Sequence, residues 1–302
     1  MGTPIFAAKV LEHLLTLPIE IVGVVTQTDK KVGRKHIVTP TPVKVVAQQA
    51  GLLVFQPVKV KDIVSQLQAL EYDFIVTCAY GQFLPEVVLK SARIDALNIH
   101  ASLLPKYRGG APIHWAVING ETETGISLMR MVKAMDAGEV FAQTRVAITL
   151  EDTTSTLHDK LIEAAKACCD RYLLDVFEGK LKAIPQDEAK VTYGYNITGD
   201  NEHINFNTSA QVVYNHIRGL IHWPVGYATI QSLRFKFYGC VISDMLATHP
   251  PGTIERVDKS GVYVATQSYC VCITHIQVEG RKMYAVVDDV SYLQNYVHHM
   301  FE

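Results

Sequence analysis

The sequence contains no apolar run that approaches the roughly 20 residues of a membrane-spanning helix. It also opens without a signal-peptide pattern, so we expect a protein of the cytoplasm. Neither charge is in excess, because 28 Lys and Arg face 30 Asp and Glu and the net charge is −2. That balance excludes a uniformly basic surface for binding nucleic acid. With 48% hydrophobic and 19% charged residues, the composition also excludes disorder as the main state.

The six cysteines lack the spacing of a metal or redox site, since no two of them form a Cys-x-x-Cys motif. We interpret them as buried, reduced thiols, the usual state in the cytoplasm. Twelve histidines are scattered without the spacing of zinc ligands. We therefore expect no bound metal.

A chain of 302 residues is long enough for about two domains. Through the first 180 residues, short apolar runs that predict buried strands alternate with amphipathic stretches that predict helices. The strands are expected at 19–26, 72–79 and 96–100, and the helices at 42–50, 60–70 and 112–119. This alternation is typical of an α/β fold with a doubly wound, mostly parallel, Rossmann-like sheet.

The last hundred residues predict a second domain of a different kind. A helix at 211–220 is followed by five short strand-like segments, separated by turns that contain glycine or proline. This pattern is typical of a small, OB-like β-barrel. We therefore divide the chain into an α/β domain at 1–181, a linker at 182–204 and a β-barrel domain at 205–302.

The beginning of the sequence departs from the usual doubly wound pattern. Thr3 as N-cap and Pro4 in the first turn predict a helix whose apolar face starts with Phe6 and Val10. A doubly wound domain normally reaches such a helix from a central strand, and here that first strand is missing. We therefore expect Met1 to be an internal residue of a longer natural product.

The densest group of chemically active residues follows the strand at 96–100. Asn98 and His100 are two residues apart, so they point to the same face of that strand, at the end where open α/β sheets bind ligands. An amide beside an imidazole suits stabilising an oxyanion and transferring a proton. For these two residues alone, hydrogen bonding to loop backbone is the simpler interpretation. The Ser-Leu-Leu-Pro and the glycine-rich turn that follow favour a binding loop.

A third polar residue, Asp136, lies in an Asp-Ala-Gly turn after a predicted strand at 124–131. Such a sequence is usually just a turn. In a set with Asn98 and His100, Asp136 could orient the imidazole or accept a proton from a nucleophilic amine.

Together, Asn98-x-His100, the Ser-Leu-Leu-Pro at 102–105 and Asp136 form a pattern that resembles the formyltetrahydrofolate-dependent formyltransferases. Within that superfamily, the sequence is most similar to the methionyl-tRNA formyltransferase family. Further similar segments lie in both predicted domains. They are Gly2–Phe6, Val25–Asp29, Gly33–Arg34, Thr39–Lys44, Val54–Pro57, Ile217–Leu220, Trp223–Pro224 and Pro251–Ile254.

The resemblance implies transfer of the formyl group of 10-formyltetrahydrofolate, the co-substrate, to the α-amine of methionyl initiator tRNA, with no metal. It implies that Asn98 and His100 hold the developing oxyanion and that Asp136 assists the amine and the imidazole. By the same resemblance, four loop residues would line the folate pocket. These are Ser102, Leu103, Leu104 and Pro105.

A basic loop at 28–40 contains Lys30, Lys31, Arg34 and Lys35 around Gly33. A run of charge is usually a solvated loop. In the family that the sequence resembles, a basic loop here enters the acceptor end of the tRNA, and cations on a flexible tip suit phosphates and unpaired bases. We expect Arg34 to contribute most. Residues 203–302 hold seven basic and seven acidic residues, so tRNA binding there requires the cations to gather on one face.

Other functions remain open at this stage. Lys106–Gly109 and Asn119–Thr122 would also fit a formyltransferase that acts on an amino-sugar nucleotide. A formyltetrahydrofolate hydrolase shares the catalytic set without needing the basic loop. A non-catalytic RNA-binding or folate-binding protein could keep the fold, although it would not need Asn98, His100 and Asp136. No membrane and no obligatory protein partner are expected.

Overall fold

The computed structural model describes residues 1–33 and 36–302, which form two compact units. The first unit comprises Met1–Pro112, Glu123–Ala147 and His158–Tyr195. The second unit comprises Ile113–Thr122, Ile148–Leu157 and Asn196–Glu302. The domain boundaries drawn from the sequence stay a prediction. Within the described ranges, no helix is both long and apolar enough to cross a membrane.

The helices of the described chain are mostly short. In chain order they are α1 (Ile5–Leu14), α2 (Pro42–Gln49), α3 (Val64–Gln68), α4 (Glu86–Leu89), α5 (Pro112–Ile118), α6 (Thr154–Cys168), α7 (Leu174–Phe177), α8 (Gly199–Glu202), α9 (Ala210–Arg218) and α10 (Val290–Gln294). Turns of 3-10 helix cover Val60–Ile63, Glu188–Lys190 and Val286–Asp288. A π-helical turn at Cys169–Leu173 connects α6 to α7.

The strands divide between the two units. Those of the first unit are β1 (Val24–Val25), β2 (Lys30–Val32), β3 (Ile37–Thr39), β4 (Val54–Phe55), β5 (Phe74–Thr77), β6 (Asp95–His100), β7 (Glu123–Arg130) and β8 (Val140–Ala147). Those of the second unit are β9 (Tyr227–Ile230), β10 (Leu233–Leu246), β11 (Ile254–Asp258), β12 (Gly261–Ala265), β13 (Tyr269–Val278) and β14 (Tyr284–Ala285).

The first unit contains parallel strand pairs, as the sequence predicts. β1 pairs with β4 in parallel, and a four-stranded sheet has the order β5-β6-β7-β8, in which β5 and β6 are parallel. β7 and β8 extend that sheet antiparallel. The α/β class is confirmed, and its four-stranded sheet is mixed, with β5 and β6 as the parallel pair. The sequence does not predict β8, because none of its residues is fully buried and its apolar alternation is weak.

Met1 and Gly2 lie between β1 and β5 and pair with both strands. The Gly2 N–H donates to the Val25 carbonyl at 3.0 Å, and the Met1 carbonyl accepts from the Cys78 N–H at 2.9 Å. A Cβ at Gly2 would lie 2.5 Å from the Ala7 Cβ, so only glycine fits here. A cavity of about 460 Å³, lined mainly by apolar residues of α1, β1 and β5, adjoins Met1. In the described chain, these two residues occupy the place of the strand that is expected before α1.

Two helix starts show how local sequence sets the first turn. α2 follows the Thr-Pro pattern, since the Thr41 hydroxyl accepts a backbone N–H of the first turn at 3.1 Å. α1 begins at Ile5 with Pro4 as its N-cap, while the Thr3 hydroxyl donates to the Tyr80 carbonyl at 2.8 Å. The prediction of Thr3 as the N-cap is therefore wrong, because its side chain binds a distant loop instead.

The second unit is built on an antiparallel sheet of order β11-β12-β13-β10-β9, with β14 beside β13. Aromatic rings fill its core, with Phe206 and Phe237 both packed against Phe301. α9 adds Val213 and Ile217, which are almost completely buried. The prediction of a second, antiparallel β-rich domain is confirmed.

Glu255 in β11 is an unusually enclosed carboxylate, with its side chain 3% exposed. It accepts hydrogen bonds from the backbone N–H groups of Thr248 and His249 at 2.6 and 2.7 Å, and from the Thr248 hydroxyl at 2.7 Å. His249 Nδ1 is 2.6 Å from the same carboxylate. Burial by itself raises the pKa of Glu255, but these hydrogen bonds outweigh it and lower the pKa to about 2.

This lowered pKa predicts that the second unit is sensitive to acid. An unfolded glutamate has a pKa of about 4.3, so Glu255 stabilises the fold above that pH, and the contribution disappears as the pH falls toward 2. Glu255→Gln cannot ionise and should flatten the decline of the free energy of unfolding between about pH 5 and pH 2. Denaturant titrations of both proteins across that range measure the difference. Identical pH dependence would contradict the assignment.

Candidate active site

β6 holds Asn98 and His100 at its carboxyl end. Asn98 lies opposite Thr77 of β5 and opposite Met129 of β7, and His100 lies opposite Ser127 of β7. Because β6 has hydrogen-bonded neighbours on both sides, its backbone is fixed. The two side chains, spaced two residues apart, are therefore held on one face of the sheet.

Asp136 reaches this face from the turn between β7 and β8. Its φ of +48° is a left-handed conformation that aspartate adopts more readily than most residues. A Cβ at Gly138 would overlap the Arg130 carbonyl, so this turn needs a glycine there. The Gly109 N–H donates to Asp136 Oδ2 at 2.8 Å. This bond connects the turn to the loop that follows β6.

The three side chains of the predicted catalytic set lie together. Asn98 Nδ2 is 3.4 Å from Asp136 Oδ1, and His100 Nδ1 is 3.8 Å from Asp136 Oδ2. The second distance is longer than a hydrogen bond. The imidazole is 6% exposed and the carboxylate 17% exposed. The imidazole is therefore nearly enclosed, and the carboxylate lies at the edge that a reactant can reach.

The hydrogen bond of His100 decides which ring nitrogen faces the site. Nε2 lies 3.0 Å from the Tyr107 carbonyl. A carbonyl can only accept, so Nε2 carries a proton and donates it. In the neutral ring, Nδ1 therefore has the lone pair, and this nitrogen is the one that faces Asp136. Nδ1 is thus the ring nitrogen that His100 turns toward the site.

Asn98 is oriented by its two neighbours. An ionised Asp136 only accepts hydrogen bonds, so the Asn98 Nδ2 side of the amide faces it. On the other side, the Thr77 hydroxyl lies 2.8 Å from Asn98 Oδ1. Within the described ranges, no acceptor binds the second N–H of Nδ2. Asn98 therefore presents a fixed donor for an oxygen of a reactant.

A buried Arg108 supports the Asp136 turn through Gln186. Arg108 donates to Gln186 Oε1 from Nε at 3.1 Å and from Nη2 at 2.9 Å, and also binds Glu188 at 2.7 Å. Gln186 Nε2 in turn donates to the carbonyls of Asp136 at 2.8 Å and Gly138 at 2.7 Å. The Glu188 carboxylate has a lowered pKa because Arg108 hydrogen-bonds to it. The turn is thereby tied to the chain at 186–188.

The four residues expected to bind folate form a loop shortly after His100, and hydrogen bonds from side chains of β7 and β8 hold the backbone of this loop. Ser102 is completely buried, and its carbonyl accepts from the Ser127 hydroxyl at 2.7 Å. The Leu104 N–H donates to the same hydroxyl at 3.0 Å, and the Leu104 carbonyl accepts from Gln143 at 2.8 Å. Leu103 packs against Gly125 of β7. A Cβ at Gly125 would lie only 2.6 Å from the Leu103 side chain.

A cavity of about 280 Å³ lies beside this loop. It is lined by Leu104, Pro105, Val140–Gln143 and Ile184–Asp187. Apolar walls combined with nearby amide and backbone groups suit a flat heterocycle with polar edges, which is the chemistry of a folate. Of the four loop residues expected to bind folate, Leu104 and Pro105 line this cavity.

The basic loop is an exposed β-hairpin. β2 and β3 are antiparallel, with Lys30 opposite Thr39 and Lys31 opposite Val38, and all three residues of each strand are exposed. Gly33 at its end has φ +70°, which favours glycine. Arg34 and Lys35 lie outside the described residues.

The base of this hairpin is fixed by one carboxylate. Asp29 accepts from Lys44 Nζ at 2.6 Å and from Gln56 Nε2 at 2.6 Å. Both bonds lower the pKa of Asp29. Lys44 is thus an internal partner of the first unit, whereas Lys30 and Lys31 face solvent.

Sequence reasoning missed several residues that support the site. Thr77, Ser127, Gln143 and Gln186 each hold a catalytic or loop group by a hydrogen bond. Ser127 gives a usable signal, because a polar residue between Ile126 and Leu128 in a buried strand needs a specific partner. Gln186 gives none, since it lies in the polar stretch interpreted as a linker. In the described chain, no group of three or more His, Cys, Asp and Glu could hold a metal.

The Gln186 contacts predict a positioning role. Gln186→Ala removes both donors that hold the Asp136 turn, so kcat should fall about tenfold, the cost of a mispositioned acid–base group. Gln294→Ala, at an exposed glutamine of α10, serves as the matched control and should leave kcat unchanged. The measurement is steady-state kinetics well below the melting temperature of each variant. An unchanged kcat in folded Gln186→Ala would remove this residue from the account.

Comparison with known proteins decides the family. Residues 1–172 match the family described as formyl transferase, and residues 196–290 match the formyl transferase C-terminal domain. The sequence is 45% identical over 297 residues to a methionyl-tRNA formyltransferase of Staphylococcus epidermidis strain RP62A, which covers 97% of this chain and 95% of that protein. It is 42% identical over 298 residues to the methionyl-tRNA formyltransferase of Staphylococcus aureus strain MW2, and this alignment covers 98% of this chain and 96% of that protein. This chain belongs to the methionyl-tRNA formyltransferase family. The resemblance seen in the sequence motifs is confirmed.

Solved structures similar to this family member include sugar formyltransferases. WlaRD, a sugar 3N-formyl transferase, superposes with a TM-score of 0.69 at 17% identity and covers 93% of this chain and 97% of that one. An N-formyltransferase of Helicobacter canadensis gives 0.68 at 16% identity, with 90% and 96% covered. HypX of Aquifex aeolicus, solved with tetrahydrofolic acid, gives 0.62 at 17% identity, with 83% and 44% covered. At these identities, the similarity shows a shared fold.

Proposed function

We propose that this protein transfers the formyl group of 10-formyltetrahydrofolate to the α-amine of methionyl initiator tRNA. The observation that carries the proposal is the convergence of Asn98, His100 and Asp136 within 3.4–3.8 Å. This convergence occurs in a chain that is 42–45% identical, over nearly its whole length, to methionyl-tRNA formyltransferases.

Asn98 and His100 act on the oxygen of the formyl group. When the amine attacks the formyl carbon, that oxygen becomes an oxyanion. The open N–H of Asn98 Nδ2 donates to it, and a protonated His100 donates from Nδ1. These donors are held in place before the reaction by Thr77 and by the Tyr107 carbonyl. Preorganised donors of this kind stabilise the transition state more than the ground state.

Asp136 handles the proton of the amine. An ammonium group cannot attack, and the amine gains positive charge as its bond to the formyl carbon forms. Asp136, at the accessible edge of the site, accepts the proton released by the amine. The proton then passes to the folate nitrogen as the bond between that nitrogen and the formyl carbon breaks. One C–N bond forms and one breaks, so the transfer needs no oxidant or reductant.

The folate co-substrate is held by the Ser102–Pro105 loop and the cavity beside it. Ser127 and Gln143 fix the loop backbone, so the groups that meet the ligand are rigid. A rigid loop lowers the entropy lost on binding. It also holds the formyl donor at a constant distance from Asn98 and His100, because the loop follows β6 directly.

The exposed hairpin is the basic element that contacts the tRNA. Lys30 and Lys31 supply charge for phosphates, and Arg34, which we expect from the sequence to contribute most, is the principal contact. Arg34→Ala should raise KM for methionyl-tRNA about tenfold and reduce the salt slope of tRNA binding by about one, without changing folate affinity. The matched control is Arg145→Ala, which removes an exposed arginine from β8. A salt slope unchanged from the parent protein would show that the hairpin is only solvated.

A second candidate is formylation of an amino-sugar nucleotide, because two proteins of similar fold are a sugar 3N-formyl transferase and an N-formyltransferase solved with dTDP-3-aminofucose. The deciding experiment compares acceptors at a fixed concentration of 10-formyltetrahydrofolate. The acceptors are methionyl initiator tRNA, free methionine and an amino-sugar nucleotide, and a reaction without acceptor measures hydrolysis. The proposal predicts that kcat/KM for methionyl-tRNA exceeds the others by orders of magnitude. A preference for the sugar nucleotide, or release of formate alone, would contradict it.

A further inference from the structure

Trp223 is the most exposed aromatic side chain in the described chain, at 71%. It belongs to the Trp-Pro segment of the second unit, and neither the catalytic set nor the basic hairpin accounts for it. A large apolar ring in water is unfavourable by roughly the hydrophobic energy of its surface. Tryptophan is enriched at interfaces, because its large ring packs against a partner while its N–H can still donate a hydrogen bond.

The backbone beneath Trp223 is held on both sides. The Ser155 N–H donates to the Ile221 carbonyl at 3.1 Å, and the Ser155 hydroxyl accepts the His222 N–H at 3.1 Å. On the far side, the Val225 N–H donates to the Leu220 carbonyl at 3.0 Å. Leu220, Ile221 and Val225 are all buried. The exposed ring therefore stands on a segment whose neighbours are anchored in the core.

Two imidazoles flank this ring. His114 Nε2 lies 3.1 Å from the Trp223 carbonyl, with the two rings 5.9 Å apart and nearly perpendicular. His222 Nδ1 lies 3.1 Å from the Ser155 hydroxyl. An aromatic face beside two imidazole groups suits a flat, polar heterocycle.

From residue 203 onward, the second unit carries no excess of positive charge. Its arginines are largely engaged: Arg218 is 3% exposed, while Arg234, Arg256 and Arg281 each lie 4.1–4.2 Å from the centre of a tyrosine ring. Acidic residues balance the basic ones from residue 203 onward. A contact other than bulk charge would add to RNA binding by this unit, and stacking on an aromatic ring is the sequence-tolerant form of such a contact.

We propose that Trp223 is a stacking platform for an unpaired base of the tRNA substrate. The proposal rests on the proposed function, which supplies an RNA with a single-stranded acceptor end. Every base has a flat face, and proteins bind single-stranded RNA by stacking splayed bases on aromatic rings. The anchored backbone makes Trp223 suitable, because a fixed ring loses little freedom when a base stacks on it.

The test compares Trp223→Ala with Trp223→Phe, which keeps an aromatic face. Tyr269→Ala, at another exposed aromatic residue of the second unit, is the matched control. Loss of one stacked base corresponds to about 1–3 kcal/mol, so Trp223→Ala should raise KM for methionyl-tRNA on the order of tenfold or more. Trp223→Phe should remain within about threefold of the parent protein. KM for 10-formyltetrahydrofolate and the melting temperature should stay unchanged in all three.

A second readout does not depend on catalysis. The protein has two tryptophans, so the fluorescence lost in Trp223→Phe belongs to Trp223. A short single-stranded RNA ending in CCA should quench that portion of the fluorescence, and a blunt RNA duplex should not. Quenching without formyl transfer would refute the proposed function alone. The stacking proposal would be overturned if Trp223→Ala had the parental KM for tRNA and the RNA did not quench Trp223 in the parent protein. It would also be overturned if Trp223→Ala lost folate affinity as much as tRNA affinity or had a lower melting temperature, because either result indicates a structural role.

Discussion

Asn98→Ala lowers kcat for formyl transfer about 100- to 1,000-fold, the usual loss when one donor of an oxyanion site is removed. The reason is that the Asn98 amide is held at Oδ1 by the Thr77 hydroxyl and at Nδ2 by Asp136, so it presents an open N–H of Nδ2 to the reacting oxygen. The affinity for 10-formyltetrahydrofolate changes little, because this donor acts on charge that develops only in the transition state. Steady-state kinetics with methionyl-tRNA, and folate binding measured separately, provide the two numbers.

The control for this prediction is Asn295→Ala, which truncates an exposed asparagine of the second unit and leaves kcat unchanged. Circular dichroism and the melting temperature show whether Asn98→Ala is folded. A folded Asn98→Ala protein with kcat within a few fold of the parent would remove Asn98 from the mechanism.

Asp136→Asn should lower kcat by about 100- to 10,000-fold, the range for loss of a general acid–base group. Asparagine keeps the size of the side chain and can still accept the Gly109 N–H through its oxygen. It also tolerates the left-handed backbone at this position. The variant therefore removes the negative charge and the proton acceptor while preserving the turn.

Single-turnover kinetics at saturating folate and tRNA isolate the chemical step in this variant, since they separate chemistry from binding and from product release. Asp136→Glu, which retains a carboxylate at a displaced position, is the paired comparison and should keep more activity than Asp136→Asn. Equal activity of Asp136→Asn and the parent protein would show that another group accepts the proton of the amine.

The catalytic set could be proposed from the sequence because its geometry is largely local. Asn98 and His100 share one face of β6 by the two-residue repeat of a strand. The sequence Asp136-Ala137-Gly138 likewise predicts a turn at Asp136. The two-residue periodicity of a strand does not show that Asn98 and Asp136 lie close together. The resemblance to the family supplied that expectation. Whether these residues carry out the reaction stays a prediction until the variants are measured.

The supporting residues could not be predicted, because they depend on contacts between distant parts of the chain. Gln186 reaches the Asp136 turn across about 50 positions, and Arg108 reaches Gln186 across 78. Thr3 resembles a helix cap, but the Tyr80 carbonyl competes successfully for its hydroxyl. The residues of β8 are intermediate or exposed, so its sequence lacks the apolar alternation that would distinguish a strand from a loop. In each case, the partner that decides the structure is absent from the local sequence.

Following the formyl carbon itself tests most directly whether this protein transfers the formyl group to methionyl-tRNA. The protein is incubated with methionyl initiator tRNA and 10-formyltetrahydrofolate labelled in the formyl group, and the ester is then hydrolysed to release the amino acid. With the parent protein the label should appear on N-formylmethionine, and with Asn98→Ala the labelled product should fall at least about 100-fold. Label recovered as formate, or retained on folate while the parent protein is folded and binds folate, would contradict this expectation.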